Sequence, residues 1–140
     1  MPRVLFVCTH NSARSQMAQA YLRQMAGQRF QVDSAGLEPT QLNPLAVEVM
    51  AEEGLDISEQ RPQSVFELYR QGNLYDYVIT VCESERESLC PVFPGITKRL
   101  HLPFDDPAQL TGGHDERLAG ARRIRDQIKQ AVGRLAEELA

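Results

Sequence analysis

Residues 3–8 read RVLFVC, an apolar run that starts at a single arginine and ends in a cysteine. A continuous apolar run of this length is typical of a strand buried inside a parallel sheet. The polar residues Thr9 to Ser12 follow directly, and apolar residues then recur at helical spacing from Met17 to Met25, with Gly27 at the end. A buried strand, a polar loop and an amphipathic helix in this order predict the first unit of an α/β fold.

Strand and helix patterns alternate along the rest of the chain. Further strands are predicted at Arg29 to Ser34 with its end at Gly36, at Tyr75 to Cys82, and at Lys98 to Leu102. One further helix is predicted to begin at Pro44, with Asn43 as its N-cap and Gly54 just past its end. Two more are predicted at Phe66 to Arg70 and at Leu118 to Leu139. We therefore expect residues 1–140 to form a single α/β domain, a parallel sheet of about four strands with helices on both faces. Ligands bind such sheets outside the carboxyl ends of the strands, where Cys8 and Cys82 are both predicted to lie.

The overall composition excludes several classes of protein. The chain has 140 residues, 42% of them hydrophobic and 24% charged, which is ordinary for a globular protein. No apolar run approaches the roughly 20 residues that a membrane span needs, and a net charge of -4 argues against a nucleic-acid partner. We expect a cytoplasmic protein without membrane or nucleic-acid partners. Its three cysteines do not suit a disulfide framework, so we expect catalytic, metal-binding or redox-active groups.

The loop from Cys8 to Ser15 has the pattern C-x5-R-S, which is weak alone but is specific between a buried strand and a helix. This geometry turns backbone N–H groups and a helix N-terminus inward and makes a cradle for a tetrahedral anion. Arg14 adds a planar fork that binds two oxygens at once. The same positive field favours the thiolate of Cys8, to which Ser15 is expected to donate a hydrogen bond, while Asn11 is expected to donate to the loop backbone.

A nucleophile of this kind also needs an acid that protonates the departing oxygen. The pair Asp106-Pro107 supplies a candidate, because the proline restricts the residue before it to extended conformations and so fixes its orientation. An Asp-Pro pair alone usually forms only a turn. Its occurrence together with the Cys8 loop favours a catalytic role. Asp105 is the second choice.

Four motifs together resemble the low-molecular-weight tyrosine phosphatase superfamily over the whole chain: Cys8 to Ala18, Asp33 to Gly36, Gly54 to Ser58, and Asp106-Pro107. Within that superfamily the chain is most similar to the thioredoxin-coupled arsenate reductases, through Val78 to Cys82, Cys90-Pro91 and Phe104 to Ala108. Among the departures from the pattern, Gln19 and Gln63 stand where several members carry acidic residues that help to hold a monovalent cation.

The resemblance implies roles for the site residues. Cys8 would be the nucleophile, Arg14 the clamp on the oxyanion, Asp106 the general acid, and Cys82 and Cys90 the redox pair. The loop that holds arsenate, or competing phosphate or sulfate, would consist of Thr9, His10, Asn11, Ser12, Ala13, Arg14 and Ser15. The disulfide would pass from Cys8–Cys82 to Cys82–Cys90 and be reduced by thioredoxin, with no metal and no bound cofactor. The polar segment Glu83 to Leu89 is predicted to be mobile enough for this transfer.

Three other interpretations compete. A tyrosine phosphatase or small-phosphoester hydrolase would use the same loop, but Ala108 stands where those phosphatases usually place a tyrosine. A zinc site built from Cys82, Cys90, His101 and His114 has a spacing that matches no usual zinc pattern. An oxyanion-binding regulatory module would have no use for a placed acid or for two further thiols. His10 either tunes the field of the loop or is simply solvated.

Overall fold

The computed structural model describes residues 1–139, which alternate between strands and helices. The four strands are β1 (Arg3–Cys8), β2 (Gln31–Gly36), β3 (Tyr77–Thr80) and β4 (Lys98–His101). The five helices are α1 (Arg14–Ala26), α2 (Pro44–Ala51), α3 (Val65–Arg70), α4 (Ser84–Glu87) and α5 (His114–Glu138), and a 3-10 turn covers Pro107–Gln109. None of the helices within residues 1–139 is long and apolar enough to cross a membrane.

The strands form one parallel sheet in the order β2-β1-β3-β4. Cys8 at the end of β1 is in register with Gly36 of β2, and Val7 is in register with Thr80 of β3. The predicted α/β class with a four-stranded parallel sheet is therefore confirmed. Since β1 and β3 are central and neighbouring, the residues that follow them, including Cys8 and Cys82, leave the sheet at the same edge.

Side chains of β1 alternate between two cores, as the period of a strand requires. On one face Val4, Phe6 and Cys8 pack in a core that draws on α1, α2 and α5 and also contains Cys82. On the other face Leu5 and Val7 pack in a smaller core with Val65 and Leu68 of α3, and this core contains Cys90 and Phe93. Helices therefore cover both faces as predicted, and the sheet separates Cys90 from the core that holds the other two cysteines.

Some predicted boundaries were wrong. β2 begins at Gln31 rather than Arg29, because the backbone N–H groups of Arg29 and Phe30 still donate to Ala26 at the end of α1. The strand predicted at Tyr75 to Cys82 is regular only over Tyr77–Thr80, although Val81 N–H still donates to the Val7 carbonyl. The strand predicted to reach Leu102 ends at His101, and the last helix starts earlier, at His114.

The segment from Glu83 to Leu89 was predicted to be mobile, and no helix was predicted in it. It contains α4, a single helical turn over Ser84–Glu87, followed by turn hydrogen bonds from Leu89 to Arg86 and from Cys90 to Glu87. The composition of the segment is polar because α4 buries none of its side chains. Such a turn has little intrinsic stability and depends on the contacts of its flanking residues.

Candidate active site

The loop between β1 and α1, residues 8–15, is called the anion loop below. Its carbonyl groups point outward, and each has a partner. The carbonyls of Cys8, Thr9, His10 and Ser12 accept hydrogen bonds of 2.7–3.1 Å from backbone N–H groups of the chain between residues 37 and 43. The Asn11 carbonyl accepts from Gln16 Nε2 at 3.0 Å. Because a trans peptide places its N–H opposite its carbonyl, the N–H groups of residues 9–13 are directed to the inside of the loop. An inner surface of N–H groups is the cradle that the sequence predicted.

Gly36 allows the loop to close against the end of β2. A Cβ atom at this position would lie 2.7 Å from the Asn11 nitrogen and 2.8 Å from the His10 carbonyl carbon, closer than side chains approach backbone. Asn11 itself has a left-handed backbone with φ of 51°, which asparagine tolerates better than other side chains do. Steric hindrance by the loop backbone thus explains why the Asp33-Ser-Ala-Gly36 motif ends in glycine.

Asn11 is the centre of the hydrogen-bond network beneath the loop. Its Nδ2 donates to Ser15 Oγ at 2.7 Å and to Ser34 Oγ at 3.0 Å, and its Oδ1 accepts from Gln63 N at 2.9 Å and from Gln16 Nε2 at 3.2 Å. The prediction that Asn11 would donate to the loop backbone was wrong. Because the left-handed conformation turns its side chain beneath the loop, the amide meets two serine hydroxyls instead.

The Cys8 sulfur lies at the bottom of the loop and is 1% exposed. It accepts a hydrogen bond from Asn11 N at 3.1 Å and lies 2.8 Å from Ser15 Oγ. Since Ser15 Oγ already accepts from Asn11 Nδ2, its own hydroxyl proton is free to point at the sulfur. Two hydrogen-bonding groups, Asn11 N–H and the Ser15 hydroxyl, therefore face the sulfur.

Arg14 is buried at the first position of α1, with its side chain 2% exposed. Its Nη1 donates to Glu83 Oε1 at 2.9 Å and to the Phe104 carbonyl at 3.3 Å, and its Nη2 lies 3.5 Å from Asp106 Oδ2. The guanidinium is therefore shared between two carboxylates at the mouth of the anion loop. The sequence predicted the arginine but gave no indication of Glu83.

The two candidate acids differ in placement. The Asp106 side chain is 9% exposed, faces Arg14, and caps the 3-10 turn by accepting from Ala108 N at 2.9 Å. Asp105 is exposed. The backbone turn at Pro107 therefore directs only Asp106 to the anion loop.

The other two cysteines are free thiols with little exposure. Burial raises the pKa of Cys82 to about 11, and the charge of nearby Cys8 adds to this effect. Burial likewise raises the pKa of Cys90 to about 11, although Arg99 opposes the shift. Both thiols are therefore protonated near neutral pH in this conformation.

The remaining polar residues predicted for the site lie as follows. Thr9 Oγ1 donates to Glu83 Oε2 at 3.1 Å, and His10 Nδ1 contacts the Glu38 carbonyl at 3.1 Å. Within residues 1–139, no three His, Cys, Asp or Glu side chains come together as metal ligands. Of the two histidines in the zinc alternative, His101 bonds Thr80 and His114 pairs with Glu48.

Gln63 adds a contact that the sequence could not specify. Its Nε2 donates to the Ser34 carbonyl at 2.8 Å, directly below the Asn11 network. An amide donor, not a carboxylate, thus faces this carbonyl. The resemblance marked the position as unusual, but only the structure gives its hydrogen-bond partner.

Two open clefts adjoin the anion loop. A cleft of about 210 Å³ is lined by Thr9, His10, Glu83, Glu85, Arg86, Asp106 and Gln109. A second cleft of about 500 Å³ lies on the other side of His10, and no Phe or Tyr lines it. The first cleft is bordered by Asp106 and by Glu83, the two carboxylates that face Arg14.

Comparisons with known proteins agree with this geometry. Residues 3–140 match the family of low molecular weight phosphotyrosine protein phosphatases. An arsenate reductase of Bacillus licheniformis is 41% identical over 135 residues, which cover 96% of this chain and 94% of that protein. A solved arsenate reductase in a phosphate-binding state superposes with a TM-score of 0.79 at 30% identity, with 100% of both chains covered. A thioredoxin-dependent arsenate reductase of Corynebacterium glutamicum superposes with a TM-score of 0.72 at 29% identity, covering 99% of this chain and 60% of the other.

The family match spans nearly the whole sequence, and the relative from Bacillus licheniformis exceeds 40% identity. The anion loop, the buried Arg14 and the aspartate that faces it occur in the order in which the resemblance predicted them. The chain therefore belongs to the low molecular weight phosphotyrosine protein phosphatase family, in the group that contains the arsenate reductases.

Proposed function

We propose that this protein reduces arsenate to arsenite by a relay of three thiols and that thioredoxin restores the reduced enzyme. The observation that supports the relay best is the position of Cys82. It leaves the sheet next to the end of β1 and packs in the same core as the Cys8 sulfur. A hydrolase that releases its intermediate with water has no need for a second thiol there.

The first step uses the anion loop. The Cys8 thiolate attacks arsenic, a bond from arsenic to oxygen breaks, and Asp106 donates a proton so that the oxygen leaves as water. Inward N–H groups and Arg14 hold the remaining oxygens while charge develops on them. The product is an adduct of Cys8 with arsenic that is still pentavalent.

The second step transfers two electrons. Cys82 loses its proton and attacks the Cys8 sulfur, the bond from sulfur to arsenic breaks, and its electron pair stays on arsenic as arsenite leaves. Cys90 then attacks Cys82, so Cys8 departs as a thiolate that Ser15 and Asn11 N–H stabilise. Both exchanges follow ordinary thiol–disulfide chemistry.

The relay requires residues 82–90, called the redox segment below, to rearrange. Cys90 packs in the core on the opposite face of the sheet from Cys8, and both resolving thiols have a pKa raised by burial. Neither attacks efficiently until it is exposed and deprotonated. Three exposed apolar side chains, Leu89, Val92 and Ile96, flank Cys90 and offer a surface for a protein reductant such as thioredoxin.

A phosphatase remains the second candidate function, since the anion loop and Asp106 serve both reactions. The cleft of about 500 Å³ beside His10 would receive the leaving group of such a substrate. It presents Ala108, Leu42 and Pro44 but no Phe or Tyr to stack on an aromatic ring. We expect at most weak hydrolysis of aryl phosphates.

The decisive experiment replaces the two resolving cysteines one at a time. Cys82→Ser should stop arsenate reduction under multiple turnover and leave aryl phosphate hydrolysis near the native rate. Cys90→Ser should release one arsenite per enzyme and accumulate a Cys8–Cys82 disulfide that peptide mass mapping detects. If thioredoxin sustained arsenate reduction in both variants, the relay would be wrong and the phosphatase would become the preferred function.

A further inference from the structure

Glu83 directly follows Cys82 and lies on the anion site itself. Its Oε1 accepts from Arg14 Nη1 at 2.9 Å and its Oε2 accepts from Thr9 Oγ1 at 3.1 Å. Both partners belong to the anion loop, and Arg14 is the residue expected to clamp the oxyanion. The first residue of the redox segment after Cys82 is therefore bound to the substrate site.

Three negative groups converge on one cation when an oxyanion enters. Arg14 already faces Glu83 and Asp106 at 2.9 and 3.5 Å, and no basic side chain other than His10 and Arg86 lines the cleft in front of it. Two carboxylates that already share one guanidinium repel an incoming oxyanion, and the site is partly shielded from water. With an oxyanion bound, the site is stable only if one of the three negative groups leaves or is neutralised.

Asp106 and Glu83 respond to this crowding in different ways. Asp106 must carry a proton to act as the acid, which removes its charge. The pKa of Glu83 is lowered, because burial, which would raise it, is outweighed by hydrogen bonds from its own backbone N–H, from Arg14 and from Thr9. Glu83 therefore stays ionised, and its side chain is 43% exposed and able to turn to solvent.

We propose that Glu83 is a positioning residue that holds the redox segment against the anion loop and that an oxyanion opens the segment by displacing it. This inference deepens the proposed function, since displacement would free Cys82 only after substrate has bound. The far end of the segment is held separately by Arg99, which donates to the carbonyls of Glu87 and Cys90. Substrate binding thus releases the end next to Cys82 and leaves the end next to Cys90 in place.

The first test measures affinity for inorganic phosphate, which the enzyme cannot reduce. Glu83→Gln keeps the shape of the side chain and removes its charge, so we expect the reduced variant to bind phosphate about tenfold more tightly in isothermal titration calorimetry. Glu85→Gln is the matched control, because Glu85 lines the same cleft with no contact to Arg14, and it should change the Kd by less than about twofold. Unchanged or weaker binding in Glu83→Gln would overturn the proposal.

The second test follows release of the segment. The rate at which iodoacetamide labels Cys82 is read by peptide mass mapping, with and without phosphate. In the native protein phosphate should raise this rate severalfold, whereas Glu83→Gln should be fast without phosphate and gain nothing from it. If phosphate slowed labelling or left it unchanged in the native protein, Glu83 would not close the segment. Neither test uses arsenate, a disulfide or a reductant, so failure of the relay and failure of this proposal are separate results.

Discussion

The anion loop and the redox segment lie at the same edge of the sheet, but the fold holds them in different ways. Five successive carbonyls of the anion loop accept hydrogen bonds from the surrounding chain, and Asn11 makes four side-chain contacts beneath it. The redox segment is held mainly at its two ends, by Glu83 on the loop and by Arg99 at Glu87 and Cys90. Between these points α4 buries no side chain.

This difference matches the two tasks that the proposed relay assigns to these regions. A cradle for a developing charge works best when its donors are fixed before substrate arrives, because no reorganisation is then needed in the transition state. A thiol that passes a disulfide to two different partners must move between them. The anion loop is held rigid by paired backbone groups, whereas the movable redox segment is held by a few exposed charged side chains.

The largest effect is expected at the bottom of the anion loop. Cys8→Ser should reduce arsenate turnover and aryl phosphate hydrolysis to background together, because both reactions start from this thiolate. The thermal midpoint should change little, since serine fits the same space and keeps the contacts to Ser15 and Asn11 N. Loss of only one of the two activities would show that they use different nucleophiles.

Asp106→Asn should slow formation of the adduct by about 10²- to 10⁴-fold, the usual contribution of a positioned acid. The amide can still accept from Ala108 N, so the turn should persist. Single-turnover kinetics measures the effect, and Asp105→Asn is the matched control because Asp105 is exposed. A larger effect at Asp105 would mean that Asp105, and not Asp106, is the general acid.

The rigidity of the anion loop is tested at Asn11. Asn11→Ala should lower the free energy of unfolding by about 2–4 kcal/mol, since it leaves buried partners unpaired and puts alanine in a left-handed conformation. Ser34→Ala removes only one of those contacts and should cost about 1 kcal/mol. Chemical denaturation gives both values. Equal losses would show that Asn11 is not the centre of the network.

The anion loop could be predicted from the sequence better than the redox segment, because it depends on local patterns. A buried strand, a loop of C-x5-R-S and an amphipathic helix are local patterns, so the order of elements and the placement of Arg14 followed from them. The contact between Glu83 and Arg14 spans 69 positions and leaves no periodic trace. The conformation of residues 83–90 depends on such distant contacts, which is why the turn of α4 was missed. The Asn11 side chain was assigned the wrong partners for a similar reason, because Ser34 and Gln63 lie 23 and 52 positions away.

The smallest effect is expected at the far end of the redox segment. Arg99 Nε bonds Glu87 Oε1 at 3.0 Å and its Nη1 bonds the Cys90 carbonyl at 3.2 Å. Arg99→Gln removes these charged hydrogen bonds, worth about 1.5–3 kcal/mol each at most, and should raise the alkylation rate of Cys90 by roughly tenfold.

Two opposing influences decide this last result. The charge of Arg99 lowers the pKa of Cys90, so loss of that charge alone would make the thiol less reactive. Exposure of Cys90 acts in the opposite direction, because it removes the larger effect of burial and so lowers the pKa. We expect exposure to dominate, because burial is the first cause of the shift. Arg86→Gln is the matched control, since Arg86 lies on the same segment and pairs with Glu38 at 3.6 Å. A slower Cys90 in Arg99→Gln would show that Arg99 acts on the thiol by its charge and does not hold the segment closed.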